Sequence, residues 1–284
     1  METTIITENN IGFYENEIPA DVAENIGRKT YGGIAVHDED YSVAAAMVWE
    51  LKHGKNLKKP TISQLSWISA RDHDTGKELF SHYGTMMTME EAKKSCVELF
   101  GQDSEELTGI LKEAKFSFSE KEGESIVVKL EDFSGLDIVK KTKIPSNIRP
   151  LGTLDMQTFR RGLVNCIFHT ERELLEDIGT LPFEWYDTEL SCYVKTDNRI
   201  NGYLLVHKLS SGSLRVELLI AYGADARVDL LYMVRYAILK ALSLYPKETK
   251  VILVRRDESV RKLTGYFFPR VAGESCLYGE RDEL

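Results

Sequence analysis

One stretch constrains the fold more than any other: Thr61 to Met87, TISQLSWISARDHDTGKELFSHYGTMM. In its first part Ile62, Leu65, Trp67 and Ile68 have the spacing of a strand buried on at least one face. The pattern breaks at Arg71-Asp72-His73-Asp74-Thr75-Gly76, and a helical spacing opens at Lys77. A strand that passes into a helix through so short a turn leaves backbone N–H groups unpaired at the helix start. Together with the positive end of the helix dipole, those groups make an anion site. The same residues support a plainer arrangement. Thr75-Gly76-Lys77-Glu78 has the spacing of a capping box, whose side chains would satisfy the amides an anion would otherwise take.

The rest of the first half builds an α+β pattern around this stretch. A short strand (Thr3 to Thr7) and a brief helix after Pro19 precede a three-strand meander. Its strands are Tyr31 to His37, Tyr41 to Leu51 and Thr61 to Ala70, with a turn expected at His53-Gly54-Lys55-Asn56 in front of the third. After the helix come a strand (Ser95 to Phe100), a second helix (Ser104 to Lys112) and a hairpin of Lys115 to Glu120 with Ser125 to Glu131. Between Phe133 and Pro150 the composition shifts to Lys, Ser and Pro, which reads as a linker.

The second half repeats the order of elements with almost no identity, the mark of a tandem repeat. Helical spacing runs through Phe159, Leu163 and Ile167, then Leu174, Leu175 and Ile178. Three strands follow: Leu190 to Thr196, Ile200 to Leu209, and Leu214 to Ala221, the last with Leu214, Val216, Leu218 and Ile220 expected on one face. A helix from Arg227 to about Leu242, a strand (Lys250 to Val254), a helix (Asp257 to Thr264) and strands near Tyr266 and Ser275 end the chain. The expected domains are residues 1–135 and 151–284, joined by 136–150.

With 284 residues, 43% of them hydrophobic and 29% charged, the chain has the size and composition of a soluble two-domain protein. A net charge of −9 argues against a nucleic-acid partner and fits a cationic acceptor such as an amine. No apolar run approaches membrane-spanning length, and METTIITENN has the features of no leader, so a cytoplasmic protein with no membrane contact is expected. The four cysteines are scattered, and the six histidines show no metal spacing with them or with each other; no metal is expected.

The opening stretch resembles the strand-to-helix segment of the GNAT acetyltransferase superfamily, whose pyrophosphate loop reads Arg/Gln-x-x-Gly-x-Gly/Ala followed by two apolar residues. Arg71 takes the first position, Asp74 the first glycine, Gly76 the second, and Leu79-Phe80 the apolar pair. The order of elements in each half also follows the family. The resemblance implies two tandem acyl-CoA N-acyltransferase domains, each a mixed, mainly antiparallel sheet flanked by helices. It implies acetyl-CoA as cosubstrate, with Ile68, Ser69 and Ala70 pairing with the pantetheine. Arg71, Asp74, Thr75, Gly76, Lys77 and Glu78 would surround the pyrophosphate. In the second half the equivalent loop is Tyr222-Gly223-Ala224-Asp225-Ala226-Arg227, which keeps none of the phosphate signature in register. Asp225 reads as a helix N-cap and Arg227 equally as a phosphate contact or a solvated side chain, so the cofactor is expected in the first half.

For chemistry, the resemblance implies a base on the third meander strand and a tyrosine that protonates the leaving thiolate. Glu217 lies on that strand in the second half, although it also reads as a surface carboxylate opposed to Arg215 or Lys208. Thr264 holds the tyrosine's register position, with Tyr266 two residues on, and Tyr266 also reads as part of a final strand. In the first half that position is Leu111, and Gln64 and Ser66 are no bases. The expected activity is acetyl-CoA-dependent N-acetylation of a primary amine on a small molecule, by a monomer or homodimer. The alternative is a catalytically inactive GNAT-like protein that binds a ligand or partner.

Overall fold

The computed structural model describes residues 1–52, 61–100, 105–141, 143–170, 178–179, 181–255 and 258–283. The expected turn at His53 to Asn56, the helical spacing at Leu174 and Leu175, and the helix starts at Ser104 and Asp257 lie outside them.

In chain order the first stretch comprises β1 (Glu2–Ile6), α1 (Ala20–Ala23), β2 (Tyr31–His37), β3 (Val43–Lys52) and β4 (Thr61–Ala70). It continues with α2 (His73–Met89), β5 (Ala92–Phe100), α3 (Glu105–Glu113) and β6 (Ser117–Glu122). Next are β7 (Ser125–Lys129), α4 (Asp137–Lys140), β8 (Ile148–Pro150), α5 (Met156–Thr170), β9 (Cys192–Thr196), β10 (Arg199–Lys208) and β11 (Leu214–Ala221). The chain ends with α6 (Ala226–Leu244), β12 (Lys250–Val254), α7 (Glu258–Phe267) and β13 (Ser275–Asp282). No helix among the described residues is long and apolar enough to cross a membrane.

Two compact units form: Met1–Gly123 with Glu274–Leu284, and Glu124–Gly273. The first holds a sheet ordered β1-β2-β3-β4-β5-β13-β6, and the second a sheet ordered β7-β12-β11-β10-β9-β8. The expected hairpin of β6 with β7 does not form. β6 pairs instead with β13, from Ser117↔Glu280 to Glu122↔Ser275, while β7 pairs with β12, from Lys129↔Lys250 to Ser125↔Val254. Each sheet thus takes a strand that the repeated order of elements assigns to the other half, and only β13 joins its sheet from the far side of the other unit's sequence. The reason lies in the apolar residues of β7, because Ile126 and Val128 are buried in the core of the second unit. The units accordingly change over at Gly123/Glu124 and Gly273/Glu274, not at residues 136–150. That expected linker belongs to the second unit: Val139 of α4 is buried, and Ile148 pairs with Val194 of β9. Its lysines and prolines mask an apolar series, Leu136, Ile138, Ile144 and Ile148, that packs on the core.

Both sheets are buried on both faces. In the second unit Leu204 and Val206 join the core under α6, while Tyr203 and Leu205 join the core under α5. β11 does not keep its even residues on one face, as alternation predicts. Leu205 pairs with Leu218 and Val206 with Val216, so Glu217 is an extra residue in a β-bulge. The bulge reverses the alternation: Leu214 faces the α6 core, and Leu218 and Ile220 face the α5 core. The first unit has the same device. Val48 pairs with Trp67 and Trp49 with Leu65, leaving Ser66 extra, so Leu65 packs under α2 and Trp67 packs on the opposite core.

β13 is tied into the first unit by buried polar contacts as well as by its ladder. Ser95 Oγ donates to Glu283 Oε1 at 2.5 Å, and Tyr83 Oη bonds both Ser95 Oγ (2.6 Å) and Ser63 Oγ (2.7 Å). Arg281 pairs with the same carboxylate oxygen at 2.6 Å and lies between the rings of Phe80, Tyr83 and Phe116. All four cysteines are buried, and burial pushes the Cys166 thiol up to about 12.

Candidate functional site

The bulges give the two units a common register. Parallel pairing of β4 with β5 ends at Leu65↔Val97, and that of β11 with β12 ends at Val216↔Leu253, in each case one residue before the bulge. Among the described residues the β5 ladder extends no further along β4, which runs on to Ala70, and the β12 ladder no further along β11, which runs on to Ala221, so each strand outruns its parallel ladder toward a helix start. In this register Asp72 corresponds to Gly223, Asp74 to Asp225, Gly76 to Arg227 and Glu78 to Asp229.

In the first unit the helix start is closed. Asp72 is the N-cap of α2: its carboxylate accepts from the Thr75 N–H at 2.8 Å, and Thr75 Oγ1 accepts from the Asp72 N–H at 3.2 Å. The capping box is therefore Asp72 with Thr75, not Thr75 with Glu78, and α2 begins four residues earlier than its apolar spacing predicts. Hydrogen bonding from Thr75, its backbone N–H first, holds the Asp72 carboxyl below its ordinary range. The Gly76 N–H donates to Asp72 O at 3.0 Å. A Cβ on Gly76 would stand 2.5 Å from Ile110 Cγ2, so α3 lies directly over this residue.

The charged side chains of the loop are also committed. Arg71 donates to Asp38 Oδ2 at 2.8 Å and to Ser42 Oγ at 3.0 Å, binding the end of β4 to the β2–β3 turn. Glu78 pairs with His82 at 3.0 Å and His73 with Glu113 at 3.2 Å. Asp74 and Lys77 are exposed, as is Ser69, while Ile68 and Ala70 pack partly against the α2 core.

In the second unit the helix start is open. Gly223 has φ +103°, which turns the chain from β11 into α6 in a conformation that favours glycine. Asp225 is the N-cap residue by position, as expected, but its side chain makes no capping bond. Among the described residues nothing accepts from the amides of Gly223, Ala224 or Arg227. Gly223, Ala224, Asp225 and Arg227 are exposed, whereas Asp229 is buried. Tyr222 stacks on His169 with ring centroids 4.4 Å apart, and its hydroxyl donates to Ile200 O at 3.2 Å.

The two candidate catalytic residues stand apart in kind. Glu217 is the bulge residue, not a surface carboxylate: its side chain is 6% exposed and accepts from Arg215 Nε at 2.6 Å. Tyr266 belongs to the last turns of α7, not to a strand, and is 77% exposed. The Thr264 hydroxyl donates back along its helix, to Val260 O (2.9 Å) and Arg261 O (3.1 Å), and Leu111 is fully buried.

Sequence reading passed over Asp72, Gly223 and Asp229. The signal that finds them is the register between the halves, which sets a cap-forming aspartate in one loop over a glycine in the other.

No family model matches the chain, and no curated protein matches it in sequence. Solved structures do match in three dimensions. A tandem GNAT protein from the clavulanic acid biosynthesis pathway, in a structure without acetyl-CoA, aligns with a TM-score of 0.63 at 9% identity over 100% of this chain and 98% of its own. A GCN5-related N-acetyltransferase from Anabaena variabilis aligns with a TM-score of 0.53 at 11% identity, over 100% of this chain and 73% of its own. L-PGS from Bacillus licheniformis aligns with a TM-score of 0.53 at 8% identity, over 96% of this chain and 90% of its own. At these identities the likeness is one of fold, and it agrees with the paired bulges and helix starts described above. The chain has the tandem GNAT fold: two α+β domains, each a mixed, mainly antiparallel sheet flanked by helices.

Proposed function

We propose that the protein is an acetyl-CoA-dependent N-acetyltransferase acting on a primary amine of a small molecule, and that the second unit takes the cofactor. One observation carries the choice of unit: the start of α6, where Asp225 makes no capping bond and the amides of Gly223, Ala224 and Arg227 have no acceptor among the described residues. The residues from Ile68 to Glu78 in the first unit do not fit a diphosphate. The Asp72 carboxylate already holds the amides there, Arg71 is bound to Asp38, and Ile110 covers Gly76. The loop from Gly223 to Arg227 fits better, with three unclaimed amides and an exposed guanidinium in the first helical turn.

Bound there, acetyl-CoA supplies an activated acyl group. Arg227 and the loop amides hold its diphosphate, and the edge of Ile220 and Ala221, beyond the described β12 ladder, offers ladder groups to the pantetheine amides. The bulge displaces the Glu217 N–H from the β10 ladder, which makes it a donor for the thioester carbonyl. The Glu217 carboxylate, fixed by Arg215, is the group placed to take the amine proton through a water. With Thr264 bonded to its own helix and Tyr266 in solvent, the leaving thiolate draws its proton from water in this scheme. That last feature favours a second reading, a catalytically inactive protein that binds a ligand or partner.

Calorimetric titration of acetyl-CoA into wild type, Arg227→Glu and Asp72→Ala tests the site. We expect Arg227→Glu to weaken binding at least tenfold, about 1.4 kcal/mol, with Asp72→Ala unchanged. Tighter binding by Asp72→Ala with none lost in Arg227→Glu returns the site to the first unit. Thiol release from acetyl-CoA over a panel of primary amines then separates the two readings, since binding without release is the inactive one.

A further inference from the structure

The start of α6 holds one group that the scheme above leaves unused. The sheet-facing stripe of α6 runs through Asp229, Met233 and Tyr236, at helical spacing. Met233 and Tyr236 pack in the core of the second unit, and Asp229, one turn earlier, is 7% exposed. Helical side chains lean toward the N-terminus of their helix, so this carboxyl leans toward the loop that enters α6. It makes no hydrogen bond or ion pair among the described residues. Its counterpart in the first unit, Glu78, lies on the helix surface and pairs with His82.

A carboxylate in such a place is costly when ionised, and costlier when a diphosphate arrives one turn away. We propose that Asp229 takes up a proton when the diphosphate of a CoA-type ligand binds at the start of α6, and donates it as a hydrogen bond to a phosphate oxygen. The proton comes from solvent, and no covalent bond in the ligand changes. The inference rests on the second-unit site proposed above. Other charged or titratable groups at this end of the helix are Asp225 and Arg227 on its entry, Tyr222 and the Arg215–Glu217 pair on and after β11, and Arg199 at the start of β10. α4 packs farther along, where Arg235 donates to Ile138 O. Burial, and then the Asp225 carboxylate, already raise the Asp229 pKa in the unliganded protein. Binding raises it again. Affinity is therefore highest below the unliganded pKa and falls as pH rises toward the liganded one, by up to about tenfold per pH unit for one proton.

The test is calorimetry of acetyl-CoA binding in buffers of different ionisation enthalpy, from about pH 5 to 8, with wild type, Asp229→Asn and Asp225→Asn. Any proton taken by the ligand's own phosphates is common to all three and cancels in the comparison. We expect wild type and Asp225→Asn to take up about one proton more than Asp229→Asn, and Asp229→Asn to bind roughly tenfold tighter near pH 8. Equal proton uptake and equal affinity in wild type and Asp229→Asn overturn the inference and leave the site standing. No uptake in wild type overturns it without recourse to a variant. No binding by any of the three at any pH removes the site itself, and the inference with it.

Discussion

α2 and α6 start from the same local architecture and end with opposite chemistry. Each follows a bulged strand that outruns its parallel ladder among the described residues. At α2 the residue entering the turn is Asp72, which folds its carboxylate onto the helix amides. At α6 the corresponding residue is Gly223, which has no side chain to do so and adopts a backbone that Asp72 does not need. One side chain thus converts an anion-receptive helix start into a self-satisfied one. The comparison also separates two reasons for keeping a glycine. Gly76 stands where a phosphate-loop glycine would, yet what requires its bareness is Ile110 of α3. Gly223 departs from the motif and is the glycine whose backbone the open loop uses.

The largest effect that would break the comparison concerns the units themselves. Because the first sheet needs β13, a fragment of residues 1–135 should show no cooperative thermal unfolding transition. A permuted fragment that joins residues 274–284 after Gly123 should show one, helped by the 2.9 Å bond from Gly123 N–H to Glu274 O. Folding of the simple fragment would mean that β13 is dispensable. Next comes the pair of corresponding positions in the two helix starts. Gly76→Val should cost about 1–3 kcal/mol by overpacking against Ile110, whereas Arg227→Ala should leave the thermal midpoint unchanged and weaken acetyl-CoA binding. If Gly76→Val kept full stability and lost binding, the glycine would be serving a ligand after all.

The smallest effect separates the two N-caps. Asp72→Ala should lower the Tm by about 2–5 °C, and Asp225→Ala should leave it within error, since only Asp72 makes a capping bond. The effect has a pH signature. The Asp72 carboxyl is held below its ordinary value, so its stabilisation is present at neutral pH and is lost as pH falls from about 4 toward the folded value. The difference between wild type and Asp72→Ala should shrink over that acid range, and a difference that persists unchanged would assign the loss to something other than the ionised cap.

Much of the fold was legible in the chain because period and turn chemistry are local. β2, β4, β11 and β12 fall where alternation and apolar runs put them, and Asp197-Asn198 makes the two-residue turn between β9 and β10 with both residues at positive φ. The pairing of β6 and β7 was not legible, because nothing in SFSEKE or SIVVK says which sheet will accept each strand. The bulges escaped for a related reason. Glu217 and Ser66 look like ordinary outward residues, and only the neighbouring strand reveals that they are supernumerary. For the site, the motif led to the first half through Arg71 and Gly76, whose partners, Asp38 and Ile110, are 33 and 34 residues away. A motif records residue types and cannot record that they are already engaged.

The exchange of β7 and β13 also sets a timetable. A ribosome that has made β1 to β6 must still make the 150 residues of Glu124–Gly273 before the strand that completes the first sheet exists. At ordinary elongation rates that interval is roughly 8–30 s. Throughout it the β5 and β6 edges, destined to flank β13, stand open to any passing strand. The unit that begins first is completed after the second, so the nascent chain depends on whatever guards an unfinished sheet until residues 274–284 emerge.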